Sequence, residues 1–308
     1  MKAERWGEKF VDCRDWIGYN EELVVRGEFL LELDWAESWH RELDSMNLNK
    51  VGRPFRFPES LIRLQAVWNQ FMGVRQVEGL TRDLFEFGKI PAFDDYSTVN
   101  RRVGKICTVL KLPEQGSFSV ACDGSGMRMN DGGEYRHDHY GRKKKKWIRV
   151  KIVVDVKTKK LLDHSVDLAG DGLTEPKTAM MQIRKLMRNG IIVEKFLGDG
   201  AYDTNRLFSF LDKRGIESAI PVQKNARVDF GKNVRRSLEI LERGRKTWKR
   251  WSRDKGYGMR WAVEGVFSAV KRVFGEKTRA KTPANMCLEV MRRFWAYETM
   301  KEYAAGRA

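Results

Sequence analysis

The sequence has 308 residues, with 59 lysines and arginines against 42 aspartates and glutamates, a net charge of +17 and a pI of about 9.7. It contains no run of 18 apolar residues and begins with a strongly charged segment, so we expect neither a membrane span nor a signal peptide. The four cysteines lie far apart without zinc-ligand spacing, which indicates reduced thiols in a cytoplasmic protein. The basic excess predicts a polyanionic partner. Nucleic acid is the commonest, although a ribosomal or membrane-surface role would need a similar charge.

The first 50 residues differ from the rest of the chain, with 7 basic and 12 acidic residues. Tryptophans among glutamates and leucines, at Trp16, Trp35 and Trp39, predict helical structure without evident chemistry. We interpret residues 1–50 as an acidic arm that packs on the main body or on a neighbouring subunit. The loop signal at residues 52–58 marks its end.

Residues 51–115 are predicted to form a small all-helical domain. Apolar spacing indicates helices over 61–71 and 77–85, and Tyr96-Ser97-Thr98 supplies an N-terminal cap for a third. The third helix carries basic side chains away from its apolar face, at Arg101, Arg102 and Lys105. The arrangement is similar to a helix-turn-helix that binds DNA. The alternative is a helical bundle with a solvated basic face.

From Ser117 the apolar period changes to two, which indicates strands. Strands are predicted near 117–123, 148–156, 161–168, 191–197 and 216–222, in the order β-β-β-α-β-α-β. Asp123 is expected at the end of the first strand and Asp199 directly after the fourth, and Asp203 is expected to cap the next helix. The second strand is entered through a run of four lysines, Lys143, Lys144, Lys145 and Lys146. Such a run either contacts a phosphate backbone or forms a solvated turn.

Residues 223–256 read as a basic insertion with twelve lysines and arginines. Trp248 and Trp251 lie among these cations, a mixture that suits stacking on bases and contacts to phosphates. A flexible solvated loop explains the composition equally well.

The stretch from Gly256 to Lys271 reads as an amphipathic helix. At about 100° per residue, four side chains fall in one sector beside its apolar stripe: Tyr257, Arg260, Glu264 and Lys271. A surface helix with an ordinary Arg260–Glu264 pair would look the same.

Three carboxylates form the one set in this sequence that we connect with catalysis: Asp123, Asp199 and Glu264. Clustered carboxylates repel each other unless a cation lies between them, and hard oxygen ligands select Mg²⁺ or Mn²⁺. Two such ions can activate a nucleophilic water or 3′-hydroxyl and stabilise the leaving oxygen of a phosphodiester.

These residues carry a resemblance to the transposases of prokaryotic insertion sequences. Tyr257-x2-Arg260-x3-Glu264-x6-Lys271 matches the family's Tyr-Arg-Glu-Lys signature without a gap. The segment from Asp199 to Asp203 resembles their Asp-x-x-Tyr-Asp motif, and Cys122-Asp123-Gly-Ser resembles their first acidic strand. The lysine run before Trp147 and the Gly52-Arg-Pro entry are similar to members of the insertion-sequence five group.

The resemblance implies an α/β fold, an RNase H-like mixed sheet flanked by helices, preceded by the small helix-turn-helix-like domain. Residues 116–308 would be the catalytic domain, with Asp123, Asp199 and Glu264 as a metal triad for two Mg²⁺ ions. Arg260, Lys271 and Tyr257 would handle DNA phosphates. Implied partners are double-stranded DNA, as element ends and target, and further copies of the chain in a homodimer or higher oligomer, located in the cytoplasm at the nucleoid.

One departure from the family pattern lies after the third strand. The segment from Asp171 to Glu175 lacks the His-Asp or Asn-Asp pair that many relatives have there, which leaves the role of this loop open. Two alternatives to a transposase also stay open from the sequence: an RNase H-like nuclease without strand transfer, and a DNA-binding regulator with an inert catalytic domain.

Overall fold

A five-stranded mixed sheet lies at the centre of the protein. The structure, a computed structural model, describes residues 15–114, 116–130 and 147–307. The strands are β1 (Ser117–Arg128), β2 (Trp147–Asp155), β3 (Leu161–Leu168), β4 (Ile192–Leu197) and β5 (Glu217–Ala219). Their order is β3-β2-β1-β4-β5. The β1–β2 and β2–β3 pairs are antiparallel, and the β1–β4 and β4–β5 pairs are parallel.

This sheet confirms the predicted fold class. The succession β-β-β-α-β-α-β is as predicted, and the mixed order is that of an RNase H-like sheet. The alternation of side chains along β2 places apolar residues on both sides of the sheet. Ile148, Val150 and Ile152 face one side, and Val153 faces the other. Both faces are therefore covered.

Helices cover the two faces of the sheet and form the N-terminal part. The N-terminal helices are α1 (Trp16–Glu28), α2 (Trp39–Asn47), α3 (Glu59–Phe71), α4 (Val74–Glu86) and α5 (Tyr96–Val103). One face carries α6 (Glu175–Arg188) and α7 (Asn205–Asp212), and the chain continues through α8 (Val234–Arg245), α9 (Trp248–Asp254), α10 (Trp261–Phe274) and α11 (Pro283–Ala305). None of the helices in the described ranges has the length and apolarity of a membrane-spanning segment.

The helix signals in the sequence agree with the observed ends of α6. Thr174 precedes the helix, Pro176 lies in its first turn, and it ends at Asn189 before Gly190, whose φ of +83° suits glycine. The predicted helix from Gly256 to Lys271 is correct only in its later part. Tyr257–Arg260 forms a 3₁₀ turn after Gly256, whose φ is +57°, and α10 begins at Trp261.

The basic insertion contains two helices, α8 and α9, so the alternative of a flexible solvated loop for residues 223–256 does not hold. Many of its cations are neutralised within it: Lys255 lies 2.9 Å from Glu239, and Lys246 lies 2.8 Å from Glu242. Asp203 anchors the insertion, because it accepts two bonds from Arg236, at 2.5 and 2.9 Å.

The prediction that Asp203 caps the next helix was therefore wrong. It follows the 3₁₀ turn Gly200–Tyr202, and Thr204 caps α7 through a bond from Leu207 N–H. Asp203 is 7% exposed and also accepts from the backbone N–H of Gln223. Its role in the fold is to join the carboxyl end of β4 to the insertion.

The N-terminal segment packs on the main body. Helix α1 contacts α11, the Trp68 indole donates to the Leu30 carbonyl, and the Tyr303 hydroxyl donates to Glu32 at 2.7 Å. One apolar cluster includes residues from α3, α5, β2, α10 and α11. The helical part and this face of the sheet thus share a core.

A buried ion pair fixes the chain after α10. The Arg293 guanidinium, 1% exposed, donates to the carbonyls of Gly275 and Lys277 and to Glu289 at 2.6 Å. Glu289 in turn accepts from the backbone N–H groups of Arg279 and Ala280. This network ties the C-terminal end of α10 to α11.

Arg293→Ala is expected to lower the free energy of unfolding by about 3–5 kcal/mol, because Glu289 would remain buried without its partner. Urea denaturation measures the change. The control is Arg82→Ala, which removes an exposed pair with Glu78 and is expected to cost under about 1 kcal/mol. A cost for Arg293→Ala no larger than that of the control would contradict this role.

Asp94 is a buried acid between α4 and α5. Its Oδ1 accepts from Gln65 Nε2 at 2.5 Å, and its Oδ2 has no hydrogen-bond partner among the described residues. Burial raises the pKa of Asp94 to about 6, against an opposing effect of the Gln65 bond. Between pH 4 and pH 6 the folded state therefore holds a proton that the unfolded state has released, and stability falls as the pH rises through this window.

Asp94→Asn is expected to stabilise the protein at pH 7.5, by up to about 3 kcal/mol, since the amide carries no charge to bury. At pH 4 the wild-type carboxyl is itself largely neutral in the folded state, so the gain should nearly disappear. Denaturation of both proteins at the two pH values tests this. An equal change at both would show that the charge of Asp94 is not the cause.

Candidate active site

Two of the predicted carboxylates lie beyond the paired ends of neighbouring parallel strands. The β1–β4 pairing runs from Ser117 opposite Ile192 to Ala121 opposite Leu197. Asp123 and Asp199 each follow two residues later. Because the strands are parallel and adjacent, both side chains reach the same edge of the sheet.

Asp123 is not at the end of its strand, contrary to our prediction. β1 continues to Arg128, since Asp123 pairs with Ile152 and the following residues pair with β2 as far as Trp147. The glycines that follow Asp123, Gly124 and Gly126, lie within the strand. At Gly126 an added Cβ would lie 3.3 Å from the Trp147 ring, so a larger residue there would press on that ring.

Asp199 is held by the turn that follows β4. Its side chain accepts a hydrogen bond from Ala201 N–H at 2.8 Å and so caps the 3₁₀ turn Gly200–Tyr202. The preceding Gly198 has no room for a side chain, because a Cβ would lie 2.8 Å from the Tyr202 ring. The position of the Asp199 side chain is therefore fixed by the turn after β4.

Arg260 connects the third carboxylate to the first. Its Nη1 donates to Asp123 Oδ2 at 2.9 Å, and its Nη2 donates to Glu264 in the first turn of α10. Burial raises the pKa of Asp123, the Gly124 N–H and Arg260 oppose this rise, and the charge of Asp199 adds to it. One guanidinium thus joins two acids that the sequence separates by 141 positions.

Glu175 is a fourth carboxylate at this edge, and the sequence analysis missed its place there. An added Cβ on Gly124 would lie 2.5 Å from Glu175 Oε1, so the carboxyl rests against the backbone beside Asp123. Burial raises the pKa of Glu175, Arg149 at 4.0 Å opposes the rise, and the charges of Asp199 and Asp123 add to it. The available signal was its place in the first turn of the helix after β3.

Lys151 positions the loop that carries Glu175. It lies on β2, is 1% exposed, and its Nζ donates to Asp167 Oδ2 at 2.6 Å and to the Leu173 carbonyl at 2.5 Å. The loop between β3 and α6 is therefore fixed on the edge of the sheet, although it lacks the residue pair that the family pattern has there.

The carboxylates suit divalent ions, because Asp123 and Glu264 already share a cation in Arg260 and are hard oxygen donors. Within residues 15–114, 116–130 and 147–307, no three acidic, histidine or cysteine side chains are already arranged at metal-ligand spacing. Ion binding by these acids would need Arg260 to shift from at least one of them.

An open cleft of about 560 Å³ lies beside these residues. Asp123, Glu264 and Lys271 line it, together with Glu276, whose carboxylate is 3.7 Å from Lys271 Nζ. Asp199 does not line this cleft, although its charge acts on Asp123. The structure thus brings together two of the three predicted acids and one predicted phosphate-binding cation around a common space.

The aromatic residues of the insertion support Tyr257. The rings of Trp248 and Trp251 lie 5.5 and 5.4 Å from that of Tyr257, and the Arg260 guanidinium lies 5.8 Å from it. Trp251 is 1% exposed and offers no ring face to a base, so its predicted stacking on DNA does not fit the structure. Trp248 is 46% exposed.

The predicted cations of the helical part differ in their surroundings. Arg102 is engaged within the fold, because it donates to Glu59 at 3.1 Å and lies over the Phe55 ring. Arg101 and Lys105 are exposed. The four lysines at 143–146 lie outside the described residues.

Similar solved structures include the catalytic core domain of BIV integrase, 12% identical over 57% of this chain and 82% of that one, with a TM-score of 0.27. They also include a piggyBac transposase synaptic complex with hairpin DNA, 12% identical over 92% of this chain and 78% of that one, with a TM-score of 0.40. No curated protein sequence matches the chain.

Two family models, both described as "Transposase DDE domain", match residues 118–298 and residues 24–132. The first match spans more than half of the chain and contains Asp123, Asp199, Arg260 and Glu264. The chain therefore belongs to the DDE transposase family, whose enzymes cut DNA strands and transfer them to new positions.

Proposed function

We propose that the chain is the transposase of a prokaryotic insertion sequence, with Asp123, Asp199 and Glu264 as its catalytic carboxylates. The observation that carries this proposal is the joining of Asp123 and Glu264 through Arg260 beside the charge of Asp199. The gapless Tyr-Arg-Glu-Lys spacing from Tyr257 to Lys271 supports the assignment to insertion sequences.

The three carboxylates would hold two Mg²⁺ ions, with Mn²⁺ as a substitute, because small divalent ions prefer carboxylate oxygens. Bound ions would supply activation of a water or 3′-hydroxyl and stabilisation of the leaving oxygen of the phosphodiester. Glu175 would add negative charge at the same edge, which strengthens the local preference for cations.

The cations beside the acids would bind the DNA phosphates. Lys271 lines the cleft with Asp123 and Glu264 and can hold a phosphate next to both. Arg260 would pass from the carboxylates to a phosphate when ions are bound, since its planar guanidinium suits both partners. Tyr257, which packs against Trp248 and Trp251, would lie beside Arg260 and the bound phosphate.

Double-stranded DNA, as the terminal inverted repeats of the element and as its target, would be the partner of this basic chain. We propose residues 51–115 as the DNA-binding domain, with Arg101 and Lys105 exposed toward DNA, and residues 116–308 as the catalytic domain. The lysines at 143–146 and Trp248 would add contacts. Residues 1–50 remain an acidic arm in this scheme, and the active form would be a homodimer or higher oligomer at the nucleoid.

Asp123→Asn, Asp199→Asn and Glu264→Gln are each expected to abolish cleavage of a duplex that carries the element ends, while the dissociation constant for the duplex stays nearly unchanged. Each amide keeps the volume of the side chain and removes a charge that a metal ion needs. Gel-resolved cleavage with Mg²⁺ or Mn²⁺ and fluorescence anisotropy give the two readouts.

Two neighbouring acids serve as controls for the triad. Asp203→Asn and Glu276→Gln are expected to retain cleavage by the folded protein, since Asp203 is bonded to Arg236 and Glu276 is exposed at the rim of the cleft. Substantial cleavage by any triad variant would remove that residue from the proposed site.

Lys271→Ala is expected to lower the rate of cleavage or joining by tenfold or more, which corresponds to about 1.4 kcal/mol of activation free energy. The melting temperature should hardly change, because the Glu276 pair is long and partly exposed. Glu276→Gln is the matched control: it removes the same ion pair and keeps the cation. Equal losses in both variants would assign the effect to the pair, not to a phosphate contact.

A further inference from the structure

A second strongly basic surface lies in a groove between α6 and α7, outside the carboxylate cleft. The groove has a volume of about 830 Å³. Six exposed cations line it: Lys177, Arg184, Arg206, Lys213, Arg214 and Lys232. Among the described residues that line the groove there is no aspartate or glutamate. The surface therefore carries a concentrated positive charge.

The cations repeat at the same interval on both helices. Lys177 and Arg184 are seven residues apart on α6, and Arg206 and Lys213 are seven apart on α7 and its C-terminal cap. Seven residues make about two helical turns, so each pair lies on one side of its helix about 10 Å apart along the axis. Each helix thus presents a row of charge to the groove.

These charges lack the internal neutralisation that the insertion has. Lys177, Arg206 and Lys213 make no ion pair with any described residue, whereas Lys255 and Lys246 of the insertion pair with glutamates. Placing these like charges in one groove is electrostatically unfavourable, because they repel each other. A bound polyanion would remove this repulsion.

Two of the guanidinium groups are nevertheless held in place. Those of Arg184 and Arg214 lie 5.0 and 4.0 Å from the centroid of the Phe210 ring. Lys232 pairs with Asp229 at 3.1 Å, an exposed contact that a stronger anion can replace. The groove is therefore a prearranged site for a polyanion, with Phe210 as its apolar support.

We propose that this groove binds the sugar-phosphate backbone of a DNA duplex, as a contact separate from Arg260 and Lys271. The inference rests on the proposed function, because it takes DNA as the polyanion. Helix α6 begins at Glu175 beside Gly124, and α7 begins six residues after Asp199. DNA in the groove would thus lie close to the edge of the sheet that carries the acids. The exposed Met181 and Leu173 offer apolar contact to sugars.

The test compares the full-length wild type with the triple variant Lys177→Gln, Arg206→Gln, Lys213→Gln. The probe is a 30-base-pair duplex of random sequence, and anisotropy gives its dissociation constant over a series of salt concentrations. Each phosphate contact contributes about 0.9 to the slope of log affinity against log salt, so the slope should fall by about 2 to 3 in the variant. Melting temperature should stay unchanged, since the three side chains are exposed and unpaired.

A matched control removes the same charge elsewhere. Arg41→Gln, Lys157→Gln, Lys281→Gln changes one exposed arginine and two exposed lysines outside residues 51–115, none of which makes an ion pair with a described residue. A retained slope in this control and a reduced slope in the groove variant support the groove as the site. An unchanged slope in the groove variant, or equal reductions in both, overturns it.

The same titrations separate this inference from the proposed function. A wild type that does not bind the duplex overturns both, whereas a wild type that binds and cleaves, with an unaffected groove variant, overturns the groove alone. Titration at stoichiometric concentrations identifies the duplex concerned. Weakened binding of the first equivalent assigns the groove to the duplex in the cleft, and loss of a second equivalent alone assigns it to a second duplex.

Discussion

The mutual repulsion of carboxylates at one edge of the sheet is the constraint on which the rest of the site depends. The charge of Asp199 raises the pKa of Asp123, and the charges of Asp199 and Asp123 raise the pKa of Glu175. These charges act through a partly buried space where screening is weak. Arg260 offsets this repulsion by binding Asp123 and Glu264 together. The site is therefore a cation-seeking arrangement even without an ion, and the guanidinium is the cation that the chain itself supplies.

Several separate elements of the fold position these carboxylates. The parallel pairing of β1 with β4 sets Asp123 and Asp199 at one edge, and the buried Lys151 fixes the loop before Glu175. On the opposite face, α10 carries Glu264 and is tied at its C-terminal end to α11 through Arg293. Different packing interactions therefore position the acids, and no single element of the fold holds all of them.

The sequence was sufficient for the number of strands and the order of elements, for identifiable reasons. The period-two pattern of β2 and the capping signals of α6 are local, so they can be read without knowledge of the tertiary structure. Asp123 was misplaced at a strand end because the apolar alternation stops there, whereas pairing with β2 continues β1 to Arg128. The burial of Trp251, the bond from Arg236 to Asp203 and the position of Glu175 are tertiary facts. They join segments far apart in the chain, and no local pattern encodes them.

The bond between Arg260 and Asp123 spans 137 positions, and this has a consequence for how the activity arises in time. Synthesis proceeds from the N-terminus, so a growing chain has completed the N-terminal helices and all five described strands before Glu264 is added. Contacts of such long sequence separation form late, because the intervening chain must first be ordered. An incomplete chain therefore carries basic surface and apolar core but lacks its third acid. With Glu264 as a proposed catalytic acid, the ability to cut DNA would be confined to nearly full-length molecules.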